Sequence, residues 1–252
     1  RLSQRRHTLE QAIEAVNIAS DAGIRDISVD LMTGLPTQTV EDIDYALQTV
    51  AQLPVNHVSS YALTVEKGTP FHRFQAEHPE CFPDDDAERL MNRRLTEGLL
   101  ELGFAHYELS NYAFPGAESK HNLVYWHADP YLAAGPAAAS YMGGIRRCNH
   151  DSIERWLSNV RDAAQGPYGQ AIVEEVVDEK SARIETMILG LRLLRGVSRS
   201  CFKCRHEIDC VELFGEEIAH FEETGLLECT EDAVRLSSSG LDFADLVVRA
   251  FL

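Results

Sequence analysis

The stretch Ile24-Arg-Asp-Ile-Ser-Val-Asp-Leu31 and the breaker Gly34-Leu-Pro36 that follows it decide the fold class of this chain. Residues 24–31 are largely apolar and partly β-branched, which is typical of a short strand buried on both faces of a parallel sheet. Gly34 and Pro36 then predict a turn at the carboxyl end of the strand. A parallel sheet needs helices on its faces, so the flanking sequence should be helical.

The sequence on either side of this strand has helical periodicity. Apolar residues recur at helical spacing over residues 8–22. After the turn, Thr39 opens a capping-box-like start to a helix over 39–53, and a second strand is predicted over 57–65. The order helix, strand, helix, strand predicts two β/α units of a parallel sheet. Two units do not close a barrel, so either further strands lie outside this chain or the piece pairs with another chain.

The remainder predicts a mixed α and β region followed by a mainly helical one. Residues 70–83 are polar and broken by prolines, and we expect a connection out of the barrel there. Further predicted elements are a helix over 84–102, a strand over 104–113, a hairpin over 142–149 and a helix over 151–164. Beyond residue 178, a winged-helix-like module is outlined by helices over 180–194, 211–224 and 241–251 and a hairpin over 226–236. Its acidic residues favour protein contact or packing over DNA reading.

Composition excludes several classes of function. The chain of 252 residues has 23 basic and 40 acidic residues, a net charge of −17, which argues against binding nucleic acid or anionic lipid. It contains no run of 18 apolar residues and no signal-peptide pattern, so we expect no transmembrane segment and a cytoplasmic location.

The six cysteines should be reduced. Cys201, Cys204 and Cys210, with His206, suggest either a zinc site or helix packing.

The run His121-Asn-Leu-Val-Tyr-Trp126 places an imidazole, an amide, a phenol and an indole within six residues. Neutral imidazole is a common iron ligand, and the two large rings offer flat faces. The run therefore indicates a site for a planar ligand that carries iron. The alternative is that Tyr125 and Trp126 are core aromatics and that His121 is a hydrogen-bonded loop residue.

Other candidate binding residues lie near the predicted strand ends. Asp30 is close to the carboxyl end of the first strand, where ligands of parallel α/β folds bind, and a carboxylate there accepts hydrogen bonds from ribose hydroxyls or an amine. Arg5 and Arg6 precede a helix and have the chemistry to clamp a carboxylate, and Thr64 lies near the same rim. The alternatives are a carboxylate tied to a neighbouring turn and solvated arginines.

Five segments in order resemble one protein family, and they are residues 5–7, 28–39, 60–70, 107–111 and 121–126. Together they are similar to the radical SAM proteins related to oxygen-independent coproporphyrinogen III oxidase. The His-Asn-x-x-Tyr-Trp run places the resemblance within the haem-chaperone branch of that family. The resemblance covers nearly the whole chain.

The resemblance implies an α/β fold, the C-terminal part of a partial (β/α)6 radical SAM barrel, followed by an α+β domain with a winged-helix-like module. The implied boundaries are 1–75 for two β/α units of the barrel, 76–170 for the α+β domain and 171–252 for the helical module. The family holds a [4Fe-4S] cluster through a Cys-x3-Cys-x2-Cys loop that this sequence lacks. Because the chain opens at Arg1 without Met, we expect the loop to lie in a preceding portion.

The resemblance also implies roles for single residues. On the side of S-adenosylmethionine (SAM), Arg6 corresponds to the arginine at the SAM carboxylate and Asp30 to the aspartate at the ribose, while Gly34 and Thr64 belong to the rim. On the haem side, His121 corresponds to a histidine involved in haem binding and is the expected ligand of the haem iron. Asn122, Tyr125 and Trp126 complete that run.

The sequence departs from the usual pattern of this family at residues 135–140. Relatives usually have Gly and His where this sequence has Ala137 and Ala139, which puts a second imidazole ligand in doubt. His127 and His106 are the possible substitutes.

The resemblance implies a haem chaperone that delivers haem to membrane-associated respiratory enzymes, on a scaffold that carries [4Fe-4S] and SAM. The alternative is a radical SAM oxidase that decarboxylates the propionates of coproporphyrinogen III in porphyrin biosynthesis. Whether the protein is an enzyme therefore stays open at this stage, and a chaperone without oxidase activity is the favoured hypothesis.

Overall fold

A computed structural model describes residues 7–161 and 171–252. The chain divides into two compact units, Arg1–Ser119 and Lys120–Leu252. Arg5 and Arg6, and the boundary predicted at residue 170, lie outside the described residues. Each unit is considered by itself below.

The first unit contains the predicted β/α units. Its helices are α1 Leu9–Asp21, α2 Val40–Val50, α3 Pro70–Glu77 and α4 Asp85–Glu101. Its strands are β1 Ser28–Thr33, β2 His57–Ala62, β3 Ala105–Glu108 and β4 Asn111–Ala113. The helices begin at strong caps, since Thr8 and Thr39 both form capping boxes and Asp84 accepts from the Ala87 amide. The sequence therefore encodes the helix starts locally.

The sheet of this unit has the order β1-β2-β4-β3. Strands β1 and β2 pair in parallel from Ser28 opposite His57 to Thr33 opposite Ala62, as the alternation of strands and helices predicts. Strand β4 joins β2 in antiparallel fashion, and β3 pairs with β4. The unit thus combines a parallel pair with an antiparallel hairpin.

The two faces of the sheet differ in chemistry. One face packs on the helices, and the core includes Val58 of β2, Leu47 of α2 and Leu99 of α4. The opposite face carries polar side chains, because residues alternate sides along a strand. We call this surface the polar face and define it by Ser28, Asp30, His57, Ser59, Glu108 and Asn111.

Two segments of this unit differ in secondary structure from what the sequence suggests. The predicted connection over 70–83 contains a helix, because Pro70–Glu77 forms α3, with Thr69 as N-cap and Pro70 in the first turn. Proline lacks an N–H that the first helical turn does not need, so it starts this helix instead of breaking it. Residues 104–113 form two strands, since the chain turns at residues 109–110 and the register shifts between His106 and Glu108.

The second unit is built from short helices and two small antiparallel sheets. Its helices are α5 Lys120–Trp126, α6 Ile153–Arg161, α7 Glu179–Gly190, α8 Arg199–His206, α9 Cys210–Leu213, α10 Gly215–Glu223 and α11 Ala244–Arg249. Its strands are β5 Ala139–Met142, β6 Ile145–Cys148, β7 Ile172–Val176, β8 Val197–Ser198, β9 Leu227–Cys229 and β10 Ala233–Leu236.

The strand orders in this unit are β5-β6-β7 and β8-β10-β9. The predicted hairpins are present as β5–β6 and β9–β10. The helix predicted over 211–224 is divided into α9 and α10 at Phe214, and the last predicted helix begins with a 3-10 turn, Gly240–Phe243. The buried side chains of Met187, Phe202 and Ile218 bring α7, α8 and α10 into the core.

Candidate functional sites

A row of polar side chains crosses the polar face of the first unit. Asp30 lies opposite Ser59, Ser59 opposite Asn111, and Asn111 opposite Glu108, so the row spans all strands of the sheet. Asp30 is exposed at one end, whereas Glu108 is fully buried at the other. The Asn111 side-chain amide donates to Oε1 of Glu108. Ser59, Asn111 and Glu108 are buried, so Asp30 is the member of the row whose oxygens are accessible to a ligand with hydroxyl or amine donors.

A second set of contacts lies beside this row. His57 shares hydrogen bonds with Ser28 Oγ through Nδ1 at 2.7 Å and with the Tyr107 hydroxyl through Nε2 at 2.9 Å. The Ser119 amide donates to the same hydroxyl at 3.2 Å. Burial lowers the pKa of His57 although Asp30 partly raises it, and burial raises the pKa of Tyr107. A neutral imidazole satisfies both of its contacts, because one ring nitrogen donates and the other accepts.

The remaining SAM-side candidates lie at the carboxyl ends of β1 and β2. Gly34 follows β1 with a φ of 77°, in the left-handed region that favours glycine. Gln38 holds this turn, because its amide donates to the Met32 carbonyl and its Oε1 accepts from the Leu35 amide. Thr64 is exposed two residues after β2. Asp30, Gly34 and Thr64 therefore lie on two adjacent parallel strands or directly after them.

Helix α5 carries the haem-side candidates of the second unit. His121 is exposed, and its Nε2 shares a hydrogen bond with the Tyr125 hydroxyl at 3.1 Å. The two rings meet edge to face, and Tyr125 contacts Tyr131 in the same way at 4.7 Å. Asn122 is half-buried. His121 is thus accessible to a ligand, although it does not line the large cavity described next.

A cavity of about 600 Å³ lies in the second unit. We call it the Trp126 cavity and define it by Trp126, His127, Val197, Cys201, Phe202 and Ala233, together with four charged residues, Asp129, Arg195, Arg205 and Asp232. Arg192, which follows α7, lies 4.4 Å from the centre of the Trp126 ring. This cation–π contact fixes the indole, the last residue of the His-Asn-x-x-Tyr-Trp run, at the cavity wall.

Charged side chains and an imidazole cluster at one side of this cavity. Arg205 donates to Oδ1 of Asp129 at 2.6 Å and to the carbonyl of His127. A guanidinium nitrogen of Arg195 contacts Nε2 of His127. Burial and the positive charge of Arg195 lower the pKa of His127, against a smaller raising effect of Asp129. His127 is therefore held as a neutral imidazole.

From the sequence, His127 is predicted only as a possible substitute for a second haem ligand, and Arg195 and Arg205 are not predicted at all. No local pattern marks them, because the cavity assembles residues from 126 to 233 of the chain. The other possible substitute, His106, lies in the first unit and stacks on Tyr112 at 4.2 Å. Ala137, at the position of the departure from relatives, has a φ of 58°.

The cysteines provide no clear metal site. Cys201 and Cys204 are exposed on α8, whereas Cys210 is buried. Burial raises the pKa of Cys210 to about 12, which disfavours the thiolate that binds metals. Within residues 7–161 and 171–252, no group of three or more His, Cys, Asp or Glu is arranged to hold a metal ion.

Known proteins similar to this chain define its class. The family model described as HemN C-terminal domain matches residues 177–243. The solved structure titled "Coproporphyrinogen III oxidase (HemN) from Escherichia coli is a Radical SAM enzyme" superposes with a TM-score of 0.75 at 17% identity. This match covers 99% of the chain and 60% of HemN. The chain therefore has the fold of the corresponding part of a radical SAM protein.

Curated relatives narrow the class. The chain is 32% identical over 248 residues to the heme chaperone HemW of Lactococcus lactis and 32% identical over 246 residues to that of Bacillus subtilis. Each match covers 98% of this chain and 64% of the relative. The chain is thus similar to the HemW proteins along nearly its whole length, and the resemblance inferred from its sequence is confirmed.

The chain spans 64% of the length of these relatives, so their activity is not transferred directly. Among the described residues, no helix is both long and apolar enough to cross a membrane.

Proposed function

We propose that the protein is a haem chaperone, which binds haem and delivers it to respiratory haem enzymes associated with the membrane. The carrying observation is the 32% identity to heme chaperone HemW along 98% of this chain. The accessible His121 on α5, in contact with the ring of Tyr125, supports this proposal. We place the protein in the cytoplasm.

On the haem side, the proposed residues are His121, Asn122, Tyr125 and Trp126. His121 is the proposed ligand of the haem iron, because its ring is exposed and, among the described residues, its Nε2 is engaged only by a tyrosine hydroxyl at 3.1 Å. A hydroxyl is a weak competitor for a nitrogen that iron binds well. Iron at Nε2 would displace the Tyr125 hydroxyl, and the edge-to-face contact of the two rings would still orient the imidazole.

On the SAM side, the proposed residues are Arg6, Asp30, Gly34 and Thr64. The described members fit a nucleoside ligand, since Asp30 is an exposed carboxylate on the polar face and pairs with no cation within residues 7–161 and 171–252. Its oxygens are available to ribose hydroxyls. In the full-length protein a [4Fe-4S] cluster, held by cysteines outside this chain, would supply the redox chemistry of SAM cleavage.

The finer architecture is part of the same proposal. Residues 1–75 would be the last two β/α units of a partial (β/α)6 barrel, and residues 76–170 would be the α+β domain. Residues 171–252 would be the winged-helix-like module, and the small sheet β8-β10-β9 with α8 and α10 supports this.

Haem transfer tests the proposed function. The full-length protein, loaded with haem, is mixed with the haem-free form of a membrane-bound respiratory enzyme. We expect that enzyme to gain haem absorbance and activity in proportion to the haem lost by the donor. Free haem at the same concentration is the control. No transfer beyond that of free haem would contradict the chaperone role.

The second candidate function is oxygen-independent coproporphyrinogen III oxidase, and the structural match to HemN at a TM-score of 0.75 favours it. An oxidase consumes SAM and releases carbon dioxide when it is given coproporphyrinogen III, whereas a chaperone does neither. Turnover of coproporphyrinogen III by the full-length protein with its cluster would replace the chaperone proposal by the enzymatic one.

A further inference from the structure

The Trp126 cavity has the size and chemistry of a ligand site. Its volume of about 600 Å³ lies within the usual range for small-molecule pockets. Apolar side chains such as Val197 and Phe202 line it beside two arginines. This combination suits a large apolar ligand with acidic groups at one edge.

The two arginines differ in how far their hydrogen bonds are satisfied. Arg205 is held by Asp129 and by the carbonyls of His127 and Ala128. Within the described part of the chain, Arg195 hydrogen-bonds only to Nε2 of His127 and forms no ion pair. A guanidinium prefers a carboxylate to a neutral imidazole, because charge-assisted bonds are stronger. Arg195 is therefore the cation with capacity to bind an acidic ligand group.

The acidic residues at the cavity do not remove this capacity. Asp129 already pairs with Arg205 at 2.6 Å. Asp232 is exposed, so its charge is largely screened by water at the cavity mouth. The lowered pKa of His127 and the arginine nitrogen at its Nε2 both favour the uncharged imidazole. An entering carboxylate would thus meet one arginine that no carboxylate yet holds.

We propose that the Trp126 cavity receives the propionate edge of the tetrapyrrole whose iron His121 is proposed to bind, and that Arg195 leaves His127 to pair with a propionate. The ring would contact the apolar walls formed by Trp126, Val197 and Phe202. This inference rests on the proposed function and assigns the recognition of the tetrapyrrole carboxylates, which the His-Asn-x-x-Tyr-Trp run does not explain.

The test compares haem with haem dimethyl ester, whose propionates are neutral. Equilibrium titrations followed by Soret absorbance use the full-length protein and its Arg195→Gln variant. We expect the variant to bind haem about tenfold more weakly, equivalent to about 1.4 kcal/mol. The ester should bind both proteins equally, because the interaction that the substitution removes is already absent. Arg249→Gln, at an exposed arginine of α11, is the matched control and should bind haem like the unmodified protein.

A second variant narrows the cavity without changing charge. Ala233 lines the cavity from β10, and Ala233→Leu should weaken haem and its ester by similar factors. This result separates occupancy of the cavity from the carboxylate interaction.

The outcomes distinguish this inference from the proposed function. Haem uptake by the unmodified protein, with unchanged affinity in both Arg195→Gln and Ala233→Leu, would overturn the cavity assignment alone. An equal loss of haem and ester affinity in Arg195→Gln would overturn the propionate contact. A full-length protein that takes up no haem would overturn both the proposed function and this inference.

Discussion

At the scale of single residues, the hydroxyl group of Tyr107 on β3 contacts both β2 and the segment after β4. The hydroxyl contacts Nε2 of His57 and accepts from the Ser119 amide. Tyr107→Phe removes both contacts but keeps the ring, so we expect a loss of about 1–2 kcal/mol in the free energy of unfolding. Tyr45→Phe is the control, because Tyr45 is 59% exposed. Urea denaturation measures both, and equal stability of the two variants would show that the Tyr107 contacts contribute nothing.

His57 predicts a pH dependence with a definite sign. Burial lowers its pKa in the folded state from 6.5, so the unfolded state binds the proton more readily. Stability should therefore fall as the pH drops below about 6.5, and the loss should end below the folded pKa.

His57→Gln isolates this contribution from the many carboxylates of the chain. Urea denaturation at about pH 7.5 and about pH 5.5 brackets the ordinary pKa of histidine. We expect the stability difference between the unmodified protein and the variant to shrink at the lower pH. An unchanged difference would mean that His57 takes up its proton equally well in both states.

Single residues also mark the limit of the sequence analysis. The run from His121 to Trp126 is visible because its members are neighbours, and it lies on one short helix. Arg195 is invisible in the sequence, because its partner His127 lies 68 positions away. The site roles of Asp30, Gly34, Thr64 and the α5 residues remain predictions, and Arg6 lies outside the described residues.

At the scale of elements, Gly98 sets the packing of α4 on α2. A Cβ atom at Gly98 would lie 2.9 Å from Cδ2 of Leu47 and closer still to Cδ1. Leu47 is buried in the core, and its methyl groups would have to shift to admit the new atom. Gly98→Ala should therefore lower the free energy of unfolding by about 1–3 kcal/mol, although alanine ordinarily stabilises a helix.

Two further variants test this packing explanation. Gly215→Ala at the start of α10 meets nothing within 4 Å, so it should be neutral or stabilising by up to about 1 kcal/mol. Adding Leu47→Ala to Gly98→Ala should cost less than the sum of the two single changes, because the clash is removed. Additive losses, measured by urea denaturation, would contradict the contact.

The accuracy of the element predictions follows from how locally each element is specified. Parallel strands β1 and β2 are recognisable because apolar runs alternate with capped helices. Helix α3 is missed because its proline reads as a breaker, whereas Thr69 and Pro70 together form a helix start. The β3–β4 hairpin is missed because its two-residue turn, Leu109 and Ser110, lacks the usual glycine or asparagine.

At the scale of the whole molecule, the sequence predicts the family but not the cavity. Five short segments carry the resemblance to the coproporphyrinogen III oxidase-like family, and each is contiguous in sequence. The cavity has no such segment, since its walls come from α5, the α7–β8 connection, α8 and β10. A tertiary arrangement of this kind has to be seen in the structure.

Haem affinity of the full-length protein tests the central claim most directly. Soret titration of the unmodified protein and of His121→Ala is combined with measurement of iron–sulfur content, and His220→Ala at an exposed histidine of α10 is the control. The haem-chaperone account predicts weaker haem binding in His121→Ala alone, with unchanged cluster content in all three proteins. Equal haem affinity of His121→Ala and the unmodified protein would contradict the role of His121, and absence of haem binding by the unmodified protein would contradict the account as a whole.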